Sequence, residues 1–125
     1  MSKTALLIAL VHYLTSKRDR QNKRREIRVQ YLIEAYRKLE AGVSRGPIHG
    51  TEHGKGFESA IADIQLLGSD EQARMAKEFT TAIATRKDDA SVGPLLMSLR
   101  DALRSELDLG SLNEEPIYFR LNSKG

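Results

Sequence analysis

Residues 2–41, SKTALLIALVHYLTSKRDRQNKRREIRVQYLIEAYRKLEA, contain neither glycine nor proline. Nothing in the stretch forces the backbone to break, and Leu, Ala, Arg, Lys, Glu and Gln dominate it, all residues that lose little side-chain freedom in a helix. It therefore predicts one long α-helix, with Gly42 at the left-handed position after the last turn and Ser44, Arg45, Gly46 and Pro47 continuing the stop. At 1.5 Å per residue, forty residues span roughly 60 Å, more than a domain of this size can cover. Part of the helix is expected to protrude, to pack on a partner or to enter a membrane.

The character of this helix changes along its length. Residues 5–14 are apolar nearly all round, interrupted by His12, and their Leu6, Leu7, Ile8, Leu10, Val11 and Leu14 are the expected contacts to a membrane or a partner. Residues 15–28 are polar nearly all round. They carry Lys17, Arg18, Arg20, Lys23, Arg24, Arg25 and Arg28 against Asp19 and Glu26, a local charge of +5 in a chain of net +3, so the remainder is −2. These seven cations are the expected contacts to phosphate, anionic lipid or an acidic partner. From Ile27 onward an amphipathic stripe appears, with Ile27, Tyr31 and Ala35 beside Val29, Leu32, Ile33, Tyr36 and Leu39, the spacing of a helix docked on a core.

Further along, residues 42–56 hold five of the nine glycines together with Pro47, His49 and His53, and read as a flexible loop. A second helix is expected from about Phe57 to Leu67, burying Phe57, Ala60, Ile61, Ile64 and Leu67, with Gly68 as its stop. Ser69 followed by Gln72 is a capping-box pattern that starts a third helix through about Thr85, with Ala73, Ala76, Phe79, Ala82 and Ile83 inward. Pro94 opens a fourth, carrying Leu95, Leu96, Leu99, Leu103 and Leu107, which Gly110 closes. The tail, residues 111–125, holds Pro116, Ile117, Tyr118, Phe119 and Leu121 and is expected to lie extended against the body or form an edge strand.

Composition narrows the class. At 125 residues the chain is one domain in size, and with 40% apolar and 30% charged residues it has the balance of a folded protein. No cysteine means no disulfide framework, thiolate metal site or thiol catalysis. The fold class expected is all-α: a long protruding N-terminal helix (1–28, apolar then basic), a compact bundle of three or four helices (29–110) and an extended tail (111–125).

Four patterns bear on function. Residues 4–14 offer eleven positions where a membrane span needs about twenty, and no cleavage-site pattern follows Leu14. The segment therefore either buries against protein or forms the inner half of an anchor, and the basic run after it is what the positive-inside rule places at a cytoplasmic flank. The seven cations could also bind nucleic acid through phosphates, but they lack interleaved aromatics and any leucine-zipper pattern beyond about two heptads. His49-Gly50-Thr51-Glu52-His53 matches H-x-x-E-H, a metal-hydrolase motif that needs a helix to set its geometry; placed among Pro47, Gly50, Gly54 and Gly56, it reads as loop. Gly54-Lys55-Gly56 ends in Ser59 where a dinucleotide fingerprint has glycine. Glu58, Asp63, Asp101 and Glu106 read as structural, at solvent-facing positions or near helix starts. No cofactor is implied.

Arg25-Glu26-Ile27-Arg28, Tyr31-Leu32-Ile33-Glu34-Ala35-Tyr36-Arg37, Leu39-Glu40, then Ala60-Ile61-Ala62-Asp63-Ile64-Gln65-Leu66 with Gly68 and Gln72, then Leu95-Leu96, Leu99-Arg100, Leu103-Arg104 and Glu106-Leu107 resemble, as a set over about residues 24–109, a group of small uncharacterised bacterial proteins. In that group a fuller hydrophobic segment precedes the basic helix, and this chain departs from it by its shorter apolar start and its histidine loop. The resemblance implies a membrane-anchored protein with a cytoplasmic helical body and carries over no catalytic residue. The expectation is a non-enzymatic interaction module at the inner membrane face or on a partner protein, with homo-oligomers open; nucleic-acid binding through residues 17–28 and a metal-dependent hydrolase at His49, Glu52 and His53 are the alternatives.

Overall fold

The computed structural model describes residues 2–43, 52–86 and 90–121. Four helices occur among them: α1 (Lys3–Gly42), α2 (Glu52–Leu67), α3 (Asp70–Ala84) and α4 (Gly93–Glu106). α1 packs on α2 and α4, and α3 closes the ring by packing on the same two, so α1 and α3 lie diagonally across an all-α bundle. Gly42 meets Phe57, Lys38 meets Asp63, and Tyr31 lies beside Gly68. α1 and α2 are therefore antiparallel, and α2 ends where α1 comes into the bundle.

The core is built on the stripe expected of α1. Tyr31, Leu32, Ala35 and Leu39 are buried against Phe57, Ala60 and Ile64 of α2, Ala76 and Phe79 of α3, and Leu95, Leu96 and Leu99 of α4. Phe57 and Phe79 tilt against each other with ring centroids 5.8 Å apart. Four residues expected inside are exposed: Ile27, Leu67 and Leu107, at the end where α1 enters, and Ala73 on the outer face of α3. Met75 packs on the core in its stead.

The helix boundaries follow local chemistry, with two corrections. Ser2 caps α1, its hydroxyl accepting from Ala5 N at 3.2 Å. Gly42 is not a left-handed stop but the last helical residue, followed by Val43 in extended conformation. Its lack of a side chain serves packing, because a Cβ there would collide with the Phe57 ring. α2 starts at Glu52, five residues before the expected start, taking Gly54 and Gly56 into its first turns. Gly54 is buried, so tertiary packing has overridden the cost of about 1 kcal/mol that glycine carries in a helix. The Ser69–Gln72 capping box forms as expected, and at Gly68 a Cβ would lie 2.6 Å from the Ile64 carbonyl and 2.8 Å from the Tyr31 hydroxyl, so the α2–α3 turn requires glycine.

The tail forms no strand among the described residues. It is strapped to α4 and α1 by arginines: Arg104 donates to the carbonyls of Gly110 and Leu109, Arg100 to that of Glu114, and Arg120 to the carboxylate and carbonyl of Glu40. Tyr118 turns in against the core, whereas Ile117, Phe119 and Leu121 face out.

The burial pattern divides α1 sharply, and stability should divide with it. Leu39→Ala removes a fully buried side chain and is expected to cost about 2–5 kcal/mol, whereas Leu10→Ala should stay within about 0.5 kcal/mol. Chemical denaturation of both variants, followed by circular dichroism, checks the contrast.

Candidate interaction surface of the first helix

Every described residue from 2 to 28 is exposed. Leu6, Leu7, Ile8, Leu10, Val11, Tyr13 and Leu14 retain between 50% and 61% of their accessible surface. No helix among the described residues is long and apolar enough to cross a membrane. The segment thus presents a short, nearly cylindrical apolar surface, about 15 Å long for its ten residues.

The basic residues fall into two sets. Arg25 donates to the backbone carbonyl of Glu106, and Arg28 pairs with its carboxylate. Lys17, Arg18, Arg20, Lys23 and Arg24 make no ion pair or hydrogen bond to another described residue through their side chains. Glu106 is the residue that reading by position misjudged. It lies at the C-terminal end of α4, where a carboxylate opposes the helix dipole, and the two guanidiniums offset that. Each is about half exposed, so the pairing contributes on the order of 1 kcal/mol or less.

Below these arginines the helix is clamped by a buried polar group. The Tyr31 hydroxyl donates to Gln72 Oε1 at 2.7 Å, and the same oxygen accepts from Ser69 N at 3.2 Å. Gln72 therefore completes the α3 cap and holds α1 at once. Its first role was visible in the sequence; its second, with a partner 41 residues away, was not. Burial, and then the charge of Asp63, push the Tyr31 phenol up to about 12.

Other candidate sites are less developed. Glu52 and His53 lie in the first turn of α2 rather than in a loop, and Glu52 sits 3.4 Å from Lys55; His49 lies outside the described residues. Among those described, no group of three or more His, Cys, Asp or Glu is placed to hold a metal ion. Asp63 pairs with Lys38 at 2.8 Å. An open apolar cleft of ≈ 460 Å³ runs between α2 and α3, lined by Phe57, Ile61, Phe79 and Ile83 with Glu58 at its edge.

No family model matches the chain, and no curated protein and no solved structure is significantly similar to it.

The Tyr31 clamp has a pH signature. Its folded pKa lies above the unfolded value of 10.0, so the protonated phenol is favoured in the folded state. Its contribution is complete below pH 10 and is lost as the pH rises towards 12. Tyr31→Phe should cost about 1 kcal/mol at neutral pH and flatten the fall in stability above pH 10, as read from denaturation midpoints across that range.

Proposed function

We propose that the protein is a non-enzymatic interaction module that attaches to the inner face of a bacterial membrane through α1. One observation carries the reading: an uncovered apolar block, residues 5–14, is followed on the same unbroken helix by seven cations and only then by the bundle. In this reading residues 3–24 project from the bundle as an arm of about 33 Å. The order apolar, basic, globular is that of lipid tails, headgroups and cytosol.

Six aliphatic side chains, Leu6, Leu7, Ile8, Leu10, Val11 and Leu14, would leave water on insertion, each worth roughly 1.5–3 kcal/mol when fully buried. The driving force is on the order of 10 kcal/mol before ordering costs. Cations at the headgroup layer add about 1 kcal/mol each near an anionic surface, within a Debye length. About 15 Å of apolar helix reaches into one leaflet of a hydrocarbon core about 30 Å thick. The resemblance over residues 24–109 to bacterial proteins with a hydrophobic segment before a basic helix supports the same arrangement. The body would then be held a fixed distance below the headgroups, where its faces can meet other proteins.

The purified chain is expected to sediment with vesicles containing anionic phospholipid and to release only partly at high salt, because the apolar term is not screened. Removing residues 1–14, or replacing Leu6 and Leu10 by Asp, should abolish sedimentation. A nucleic-acid protein behaves oppositely: the truncated chain keeps its binding to duplex DNA, with an affinity that falls steeply with salt. That outcome, with no vesicle binding by the intact chain, defeats the membrane reading.

A further inference from the structure

Two apolar surfaces of the molecule lie open. One is the arm, whose residues 5–14 run for about 15 Å and expose seven large apolar side chains. The other is the cleft between α2 and α3, lined on α2 from Gly54 to Gln65, roughly 16 Å along the helix. Phe57, Ile61, Phe79 and Ile83 form its floor, and the exposed Ala62, Thr80 and Ala84 its sides. Small residues on the sides leave a shallow trough of the kind that takes an apolar helix face. The two surfaces match in polarity as well as in length. Residues 5–14 contain no Asp, Glu, Lys or Arg, and the charged residues along the cleft are of both signs, with Glu58 in its lining and Lys55 and Lys77 each three positions from a lining residue. Neither an acidic nor a basic ligand is favoured there, so apolar area decides.

A chain's own arm cannot fill its own cleft. Residues 2–41 contain nothing that bends a helix, so the arm leads straight away from the bundle, and α3, the farther wall of the cleft, lies diagonally across from α1. The arm of a second copy can fill it. Stepping back three or four residues at a time from the buried Leu39 and Leu32 passes Arg28, Arg24 and Lys17 and reaches Leu14, Leu10 and Leu6. These three leucines therefore lie on the side of the arm that looks over the end of its own bundle. A second bundle stacked on that end, running the opposite way, turns its cleft towards them. The relation is a two-fold one, in which each arm enters the other copy's cleft and the contact closes on itself.

We propose that, away from lipid, two copies of the chain exchange arms, residues 5–14 of each seated in the α2–α3 cleft of the other. Area selects this arrangement. The seven side chains leave on the order of 100 Å² each open, and a helix in a trough covers half its circumference. One docking buries roughly 700 Å² over both surfaces, short of the roughly 1,200 Å² at which specific interfaces begin, whereas the reciprocal pair buries roughly 1,400 Å². Charge argues against the simpler pairing of arm on arm. Helices in direct contact lie about 8–10 Å apart and would set the two basic runs side by side. In the exchanged pair α2 stands between a docked arm and the α1 of the copy that receives it, so the runs lie up to about 20 Å apart, beyond a Debye length of about 10 Å. The inference goes beyond the membrane reading and does not rest on it: lipid and the second copy's cleft are rival covers for one apolar block.

The test is the mass of the full chain in lipid-free buffer, by light scattering after size exclusion. Twice the 14.0 kDa of one chain is expected, and it should persist when salt is raised from about 0.1 M to about 1 M, because apolar burial is not screened. Ala62→Glu with Thr80→Glu, at two exposed lining positions, should weaken the dimer by more than about tenfold, whereas Thr81→Glu, on the outer side of α3, changes it by less than about threefold. Circular dichroism establishes that each variant stays folded. The chain has no cysteine, so one pair can be introduced cleanly. Leu10→Cys with Ala62→Cys, the middle of the block and the middle of the cleft, is expected to form an inter-chain disulfide on oxidation, and Leu10→Cys alone is not. A monomer at about 0.1 mM chain, a dimer that tolerates Ala62→Glu with Thr80→Glu, or equal cross-linking through Leu10→Cys alone overturns the proposal. Vesicle sedimentation is a separate readout, so failure of the membrane reading and failure of this one are told apart.

Discussion

The burial of Tyr31, Leu32, Ala35 and Leu39 between α2 and α4 is the contact from which the other features of the molecule take their positions. These side chains retain 3%, 2%, 0% and 0% of their accessible surface, and α1 packs far more extensively on α2 and α4 than α3 does. α3 is held mainly by Ala76, Phe79 and the Tyr31–Gln72 hydrogen bond. Removing α1 would leave three short helices without the element that fills the space between them, too little apolar burial for a chain this small. The second half of α1 is thus structural, and flanking ties such as Lys38 to Asp63 and Arg120 to Glu40 set its edges.

The first half of the same helix needs a different account. A helix of some twenty exposed residues gains nothing from tertiary packing, and isolated helices are marginal in water. Here the docked half supplies a nucleus, the Ser2 cap closes the N-terminal end, and the intervening residues are good helix formers without glycine or proline. Propagation from an existing helix avoids the nucleation cost. A large apolar surface left uncovered on such an extension is unfavourable in water unless something covers it.

Much of the fold was legible in the sequence because it is written in local signals. The long helix, the capping box at Ser69 and Gln72, the turn at Gly68 and the proline-initiated α4 all rest on residues within one or two turns of one another. What escaped depends on contacts between distant residues. α2 begins at Glu52 because packing tolerates Gly54 and Gly56 inside a helix, and Gly42 is chosen by a phenyl ring fifteen positions away rather than by backbone conformation. Periodicity assigned Ile27 and Leu67 to the core, but a stripe does not say where the neighbouring helices stop. Glu106 carried no sequence mark of its tie to Arg25 and Arg28, about eighty residues away. For the interaction surface the residues were legible and their direction was not.

That direction follows from rigidity. Because residues 2–41 contain no residue that bends a helix, the angular phase of Leu32, Ala35 and Leu39 in the core is transmitted to Arg28, Arg24 and Lys17 without slack. A cation on this stripe therefore faces the bundle end whatever its own preferences, and Asp19, half a turn away, faces outward. The direction in which the cations of the arm point is then a property of the whole molecule, not of an isolated amphipathic segment.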